Sequence, residues 1–275
     1  MEFFKNRTVT LATKHKKERV IGPLLNHFLK TDYLIPDGFD TDVFGTFSGE
    51  VERQGTPLET ARQKCLQAME ITGTDIAIAS EGSFGMHPSL PFVNSDEEWV
   101  LLVDRINNIE VFEKELSVST NYNRSLVQNF NELQEFAEHV GFPEHGLILK
   151  STEKCFKGIT DKDILNFQFE ELLKKSGKVE VLTDMRANFN PSRMEVIKKA
   201  TYKLMSRLKC LCPKCNVPGF GITDYEAGLP CSLCSFPTSG IKTYIYSCAN
   251  CDYVIKEANK NKKAEDPTYC DQCNP

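Results

Sequence analysis

The sequence predicts an α/β protein: a three-layer domain with a mixed sheet over residues 1–205, then a small cysteine-rich module over residues 206–275. Three observations carry that expectation. Short apolar, β-branched runs alternate with longer stretches of helical periodicity. A hairpin pattern interrupts the alternation around Asn107-Asn108. Nine of the eleven cysteines lie after residue 209, which marks a boundary near 205.

The elements follow in order. TVTLAT (8–13) reads as a strand. Residues 16–30 read as a helix with Val20, Leu24, Leu25 and Phe28 on one face and a kink at Gly22-Pro23. Residues 37–55, rich in Gly and Asp, read as loop and short strand. The clearest helix spans 57–71: Thr56 can cap it, Pro57 suits its first position, and Glu59 completes a capping box. TDIAIAS (74–80) is a buried strand that ends in the loop EGSFGMHP. Further on, helices are expected over 126–140, 162–175 and 193–209, with strands at GLILKS and VEVLTDM.

Composition narrows the class. Hydrophobic residues make up 40% and charged residues 26%, as in ordinary globular proteins. No apolar run is long enough to span a membrane, and the start lacks a signal-peptide core, so a cytoplasmic location is expected. Thiols stay reduced there, and clustered cysteines then read as metal ligands. The net charge of −5 offers no global attraction to nucleic acid. Local basic patches occur at Lys14, His15, Lys16, Lys17 and Arg19 and at Lys256, Lys260, Lys262 and Lys263. No P-loop, dinucleotide fingerprint or Gly-x-Ser-x-Gly elbow is present.

Four Cys-x-x-Cys pairs stand in the tail: Cys212/Cys215, Cys231/Cys234, Cys248/Cys251 and Cys270/Cys273. Two such pairs supply the four thiolates of a tetrahedral zinc ion, so two structural zinc ions are expected in a double zinc-ribbon module. The intervening 15, 13 and 18 residues favour joining the first pair with the second and the third with the fourth. A cross-braced pairing and an iron–sulfur cluster are the alternatives. Cys210 reads as a bystander. Sites closed by four thiolates leave no open position for catalysis, so the module is read as structural or as a docking surface for protein or nucleic acid.

Three segments of the larger domain can carry chemistry. Thr13, Lys14 and Lys17 sit where a strand gives way to a helix, which suits a phosphate. Glu59 and Lys64 lie on the capped helix. Ser80, Glu81 and Ser83 follow a buried strand, where α/β sheets bind ligands. Glu59 and Glu81 would hold a magnesium ion that polarises a phosphoryl oxygen. His87 stands beside the candidate loop, where it could act as a general base, although a loop histidine before Pro88 is more often structural; Cys65 reads as buried on an apolar helix face, and Cys155 has no catalytic neighbour visible in sequence.

The order strand, Thr-x-x-x-Lys, Glu-Thr-Ala-x-x-Lys and Ala-x-Glu-Gly, over residues 8–90, resembles the inosine/xanthosine triphosphate pyrophosphatase superfamily. That resemblance implies a magnesium-dependent hydrolase of a non-standard nucleoside triphosphate or related phosphorylated small molecule. It implies Glu59 and Glu81 as metal-binding acids and Lys14, Lys17 and Lys64 as phosphate ligands. The family's Ser-His-Arg signature is absent. Asp184-Met185-Arg186 and Asn190-Pro191-Ser192-Arg193 take its place, so Arg186 and Arg193 would reach a phosphate or base. The whole chain also resembles an uncharacterised bacterial family with a cysteine-rich tail. The alternatives are a nucleotide- or nucleic-acid-binding protein without catalysis and a zinc-stabilised interaction module.

Overall fold

The alternating run at the start forms β1 (Thr8–Ala12), buried from Val9 onward. The structure, a computed structural model, describes residues 2–45 and 53–275, so part of the expected 37–55 loop lies outside the described residues. The chain divides into two compact units: Met1–Ile106 with Phe112–Met205, and Asn107–Val111 with Ser206–Pro275.

In the larger unit β1 leads to α1 (Glu18–Leu29), which runs through Pro23 and buries Ile21, Gly22, Leu25 and Leu29. The buried face is therefore turned from the expected one, with only Leu25 in common. Gly22 has a packing reason: a Cβ there would come within 2.5 Å of the Tyr33 ring on β2 (Asp32–Leu34). α2 (Pro57–Thr72) starts with the expected capping box, in which Thr56 accepts from the Glu59 amide and Glu59 accepts from the Thr56 amide. Its inner face presents Ala61, Cys65, Ala68 and Met69 to Ala12, Ala77, Ala79 and Leu101 of the sheet. Small side chains on both surfaces let the helix approach closely.

β3 (Ile76–His87) departs from expectation. It does not stop at Ser80 but continues through EGSFGMH, paired with β4 (Leu90–Asp104) from Ile76↔Asp104 onward. Glycines in 81–87 read as loop signals in the sequence. In the structure backbone pairing to β4 carries the strand, and the outer part of both strands lacks the burial that leaves a hydrophobic signature. Glu81 is therefore mid-strand, opposite Trp99, rather than at a strand end. β5 (Ile109–Ser117) completes the expected hairpin, with Asn108 in the left-handed region at φ 50°.

The first sheet has the order β2-β1-β3-β4-β5, parallel for β2-β1-β3 and antiparallel from β3 to β4. That is the expected mixed sheet, and the unit holds in addition a second, antiparallel sheet ordered β6-β9-β7-β8. Its strands are β6 (Arg124–Val127), β7 (Leu147–Lys150), β8 (Cys155–Ile159) and β9 (Val179–Thr183). Short strands such as β6 and β8 are too brief for a periodicity to show. α3 (Phe130–His139), capped by Asn129, and α4 (Lys162–Ser176), capped by Asp161, belong with this sheet. Leu133, Phe136, Leu165 and Phe169 share its core with Leu147, Leu149 and Val181. α5 (Pro191–Leu208) follows. Among the described residues no helix is long and apolar enough to cross a membrane.

The smaller unit carries the antiparallel sheet β10-β11-β12, formed by Gly221–Ala227, Ile241–Ser247 and Val254–Ala258.

Candidate functional site

Elements of the larger unit surround a cavity of about 400 Å³. Its lining includes seven Lys and Arg side chains, Lys14, Lys17, Arg53, Lys64, Lys157, Arg186 and Arg193, against three carboxylates, Asp42, Glu81 and Asp184. Such an excess in a concave site focuses potential on an anion.

The turn after β1 builds one wall. His15 and Lys16 adopt positive φ, 63° and 62°, a strained pair for residues with side chains. Lys17 then stands at the start of α1, with its side chain buried. Its Nζ donates to the Ser80 hydroxyl at 3.0 Å and the Ser80 carbonyl at 3.3 Å. Among the described residues it makes no ion pair. Burial, with Arg193 nearby, pulls its pKa down to about 8. Lys14 pairs with Asp40 and Asp42. His15 touches Asp42 at 3.3 Å, yet burial pulls its pKa down to about 4, so it is neutral at pH 7.

α2 and β3 supply the next wall. Lys64 on the inner face of α2 pairs with Glu81, and both side chains are largely buried. Arg53 donates to the Gly82 carbonyl at 3.1 Å and to Ser83 Oγ at 2.8 Å. From the second sheet and α5 come Arg186, which grips the buried Asp184, and Arg193. Arg193 Nε donates to the buried Glu98 at 2.6 Å, and its guanidinium lies 5.0 Å from the Phe84 ring centre. Phe84 and Tyr122, with ring centres 5.9 Å apart, add an aromatic surface.

Of the residues singled out from sequence, Lys14, Lys17, Lys64, Glu81, Ser83, Arg186 and Arg193 meet at this cavity. Thr13 is buried, with its hydroxyl donating to the Lys14 carbonyl and its amide to the Leu11 carbonyl; Ser80 lies behind Lys17. Glu59 requires correction. It is exposed and absent from the lining, and its carboxylate accepts from the Thr56 amide and hydroxyl. The Thr56 amide holds its pKa below the usual range. Glu59 caps α2 and does not line the cavity that Glu81 lines, so the expected pairing of the two acids around a magnesium ion is not found there. His15, Asp42, Arg53, Phe84, Tyr122, Lys157 and Asp184 had no signal as site residues in sequence. Only His15, Phe84 and Asp184 stood in segments already marked.

The eight tail cysteines form two groups, each with sulfurs within 4.8 Å of one another: Cys212, Cys215, Cys248, Cys251 and Cys231, Cys234, Cys270, Cys273. The first pair thus joins the third and the second joins the fourth, which corrects the expected consecutive pairing. The sheet register is the reason. Gly221 opposite Ser247 sets the knuckle before β10 beside the knuckle after β11. Ala227 opposite Ile241, and Thr243 opposite Ala258, bring the β10–β11 loop and the chain beyond β12 to the other end.

Sulfur separations of 3.8 and 3.5 Å in one group and 3.9 and 3.6 Å in the other match the roughly 3.8 Å edge of a tetrahedron with ~2.3 Å metal–sulfur bonds. They are far beyond a disulfide, and leave no room for interposed irons and sulfides. Amides of Lys214, Leu233 and Asn250 donate to ligand sulfurs at 3.3–3.4 Å, which favours the thiolate form. Each group can hold one metal ion. Cys210 is exposed, bonds the Ser206 carbonyl, and belongs to neither.

No curated protein matches the chain. A weak structural likeness joins it to the crystal structure of protein VC0702 from Vibrio cholerae, at 9% identity and a TM-score of 0.29, covering 73% of this chain and 93% of that one. A family described as a domain of unknown function, DUF6671, matches residues 64–275, a span that takes in Lys64, Glu81, Arg186, Arg193 and all eight paired cysteines but not the Lys14–Lys17 turn. The chain belongs to the DUF6671 family.

Proposed function

We propose that the cavity binds the phosphate chain of a phosphorylated small molecule, a nucleotide, and supports its hydrolysis. The observation that carries this is Lys17. A buried ammonium that bonds only a hydroxyl and a carbonyl is an unfavourable arrangement unless an anion joins it. Amides 14–17 donate to no described acceptor, so this turn also offers free backbone donors. Phe84 and Tyr122 give a surface on which a base can stack.

Glu81 is the cavity carboxylate best placed to join a magnesium ion carried by the phosphates, for magnesium is commonly held by one or two carboxylates plus phosphate oxygens. The ion would supply charge neutralisation of the phosphoryl oxygens. Glu81 is neutralised by Lys64, so phosphate must first draw Lys64 away. For the tail, two closed four-thiolate sets favour zinc ions with a folding role.

The test is calorimetric titration with pyrophosphate and nucleoside triphosphates at low salt, with and without magnesium, and assay of released pyrophosphate. Absence of binding by every such ligand ends the reading. Binding without turnover retains the binding function and removes the hydrolase.

A further inference from the structure

β4 sets Asp96 and Glu98 two residues apart, so both point to one face of the strand, opposite Phe84 and Gly82 of β3. They are 1% and 0% exposed. Glu98 has a cation of its own, Arg193. Asp96 forms no ion pair among the described residues, and its carboxyl shares the buried face of β4 with that of Glu98. Two ionised carboxylates cannot hydrogen-bond each other, because neither carries a donor. Asp96 Oδ1 and Glu98 Oε2 are also buried without a partner. Orphaned oxygens of this kind are costly, and one proton shared between the two carboxyls gives both a partner.

We infer that Asp96 is a neutral carboxylic acid that donates its proton to Glu98 and, through Glu98, positions Arg193 at the cavity. Glu98 is the ionised member because the Arg193 guanidinium lies against it. Two like charges buried side by side do not both ionise. The wider surroundings agree: Lys17 enters from the turn before α1 and Arg193 from α5, while Glu81 on β3 is occupied by Lys64 of α2. With Asp96 neutral, Lys17 and Arg193 face one anion instead of two, and positive charge remains for a phosphate. Burial beside Glu98 pushes the Asp96 carboxyl up to about 8, in the same direction. The role in ligand binding rests on the phosphate reading above; the proton on Asp96 does not.

Infrared spectroscopy of full-length protein labelled with carboxyl-¹³C aspartate tests the inference at pH 6.5–7. An isotope-shifted band of a protonated carboxyl is expected, and it should vanish in Asp96→Asn. No such band in the parent, or its survival in Asp96→Asn, overturns the inference. If Asp96→Asn does not fold, Glu98→Gln serves: Asp96 then becomes the counter-ion of Arg193, and the band should be lost. Its persistence also counts against the inference. Pyrophosphate titration supplies the positioning readout. Asp96→Asn, whose amide still donates, should bind as the parent does, and Asp96→Val should bind more weakly. Equal loss in both variants overturns the positioning role. If the parent binds no pyrophosphate, the phosphate reading fails while the infrared result still decides the protonation.

Discussion

Lys17 Nζ is bonded to Ser80 twice, through the hydroxyl and the carbonyl, and to no acid among the described residues. The fold thus holds a lysine in a place that disfavours its charge: the pKa falls from 10.5 to about 8. Between those values the folded chain has released a proton that the unfolded chain keeps, so stability rises with pH across that window. Lys17→Met should therefore raise the melting temperature at pH 7, by roughly 1–3 kcal/mol of stability. Pyrophosphate binding should be lost in the same variant, and in the parent should weaken as pH passes about 8. A destabilised Lys17→Met would instead make the Ser80 bonds structural.

The two acids marked in the sequence should separate cleanly in mutagenesis. Glu59→Ala removes a capping contact and should lower the midpoint of denaturant unfolding slightly, with pyrophosphate affinity unchanged. Glu81→Gln frees Lys64 from its counter-charge. Metal-free pyrophosphate binding should become tighter, while any magnesium-dependent turnover disappears. Loss of turnover in Glu59→Ala with an intact melting curve would restore Glu59 to the site and contradict its capping role.

The sequence showed the lysine turn, the capped helix and the metal knuckles because each has a local signature. Thr56, Pro57 and Glu59 specify a helix start within four residues, and Cys-x-x-Cys specifies a turn. Glu59 was misread for the same reason: a capping glutamate and a ligand glutamate look alike until a partner is seen. Arg53, Tyr122 and Lys157 come from separate segments brought together by two sheets, and no local pattern announces that meeting. The acids Asp96 and Glu98 stayed hidden because an Asp-Glu-Glu run on a hairpin reads as solvated surface. Only the pairing of β4 with β3, and the approach of α5, shows them to be buried.

His15 should not behave as a switch near neutrality. Burial lowers its pKa from 6.5 to about 4, despite the contact with Asp42. The unfolded chain then takes up a proton near pH 6.5 that the folded chain refuses until about 4, so stability falls as pH drops through that window. The His15 imidazole resonance, assigned by its loss in His15→Asn, should show no titration step between pH 5.5 and 8 in NMR. A step near 6.5 assigned to His15 would place it in open solvent.

Metal counting decides the cross-braced pairing. In the structure Cys212 and Cys248 stand in one four-sulfur group, while Cys231 stands in the other. Cys212→Ser combined with Cys248→Ser should leave one tightly bound metal per chain, since both losses fall on one group. Cys212→Ser combined with Cys231→Ser damages both groups and should leave none held tightly. Consecutive pairing reverses part of this pattern: the 212/248 variant would lose both ions and the 212/231 variant only one. Elemental analysis after gentle chelation reads the difference directly. Because the β10–β11–β12 register joins the two groups, chelating both ions from the parent should also unfold the sheet between them, seen as loss of amide dispersion in Tyr244 to Tyr246.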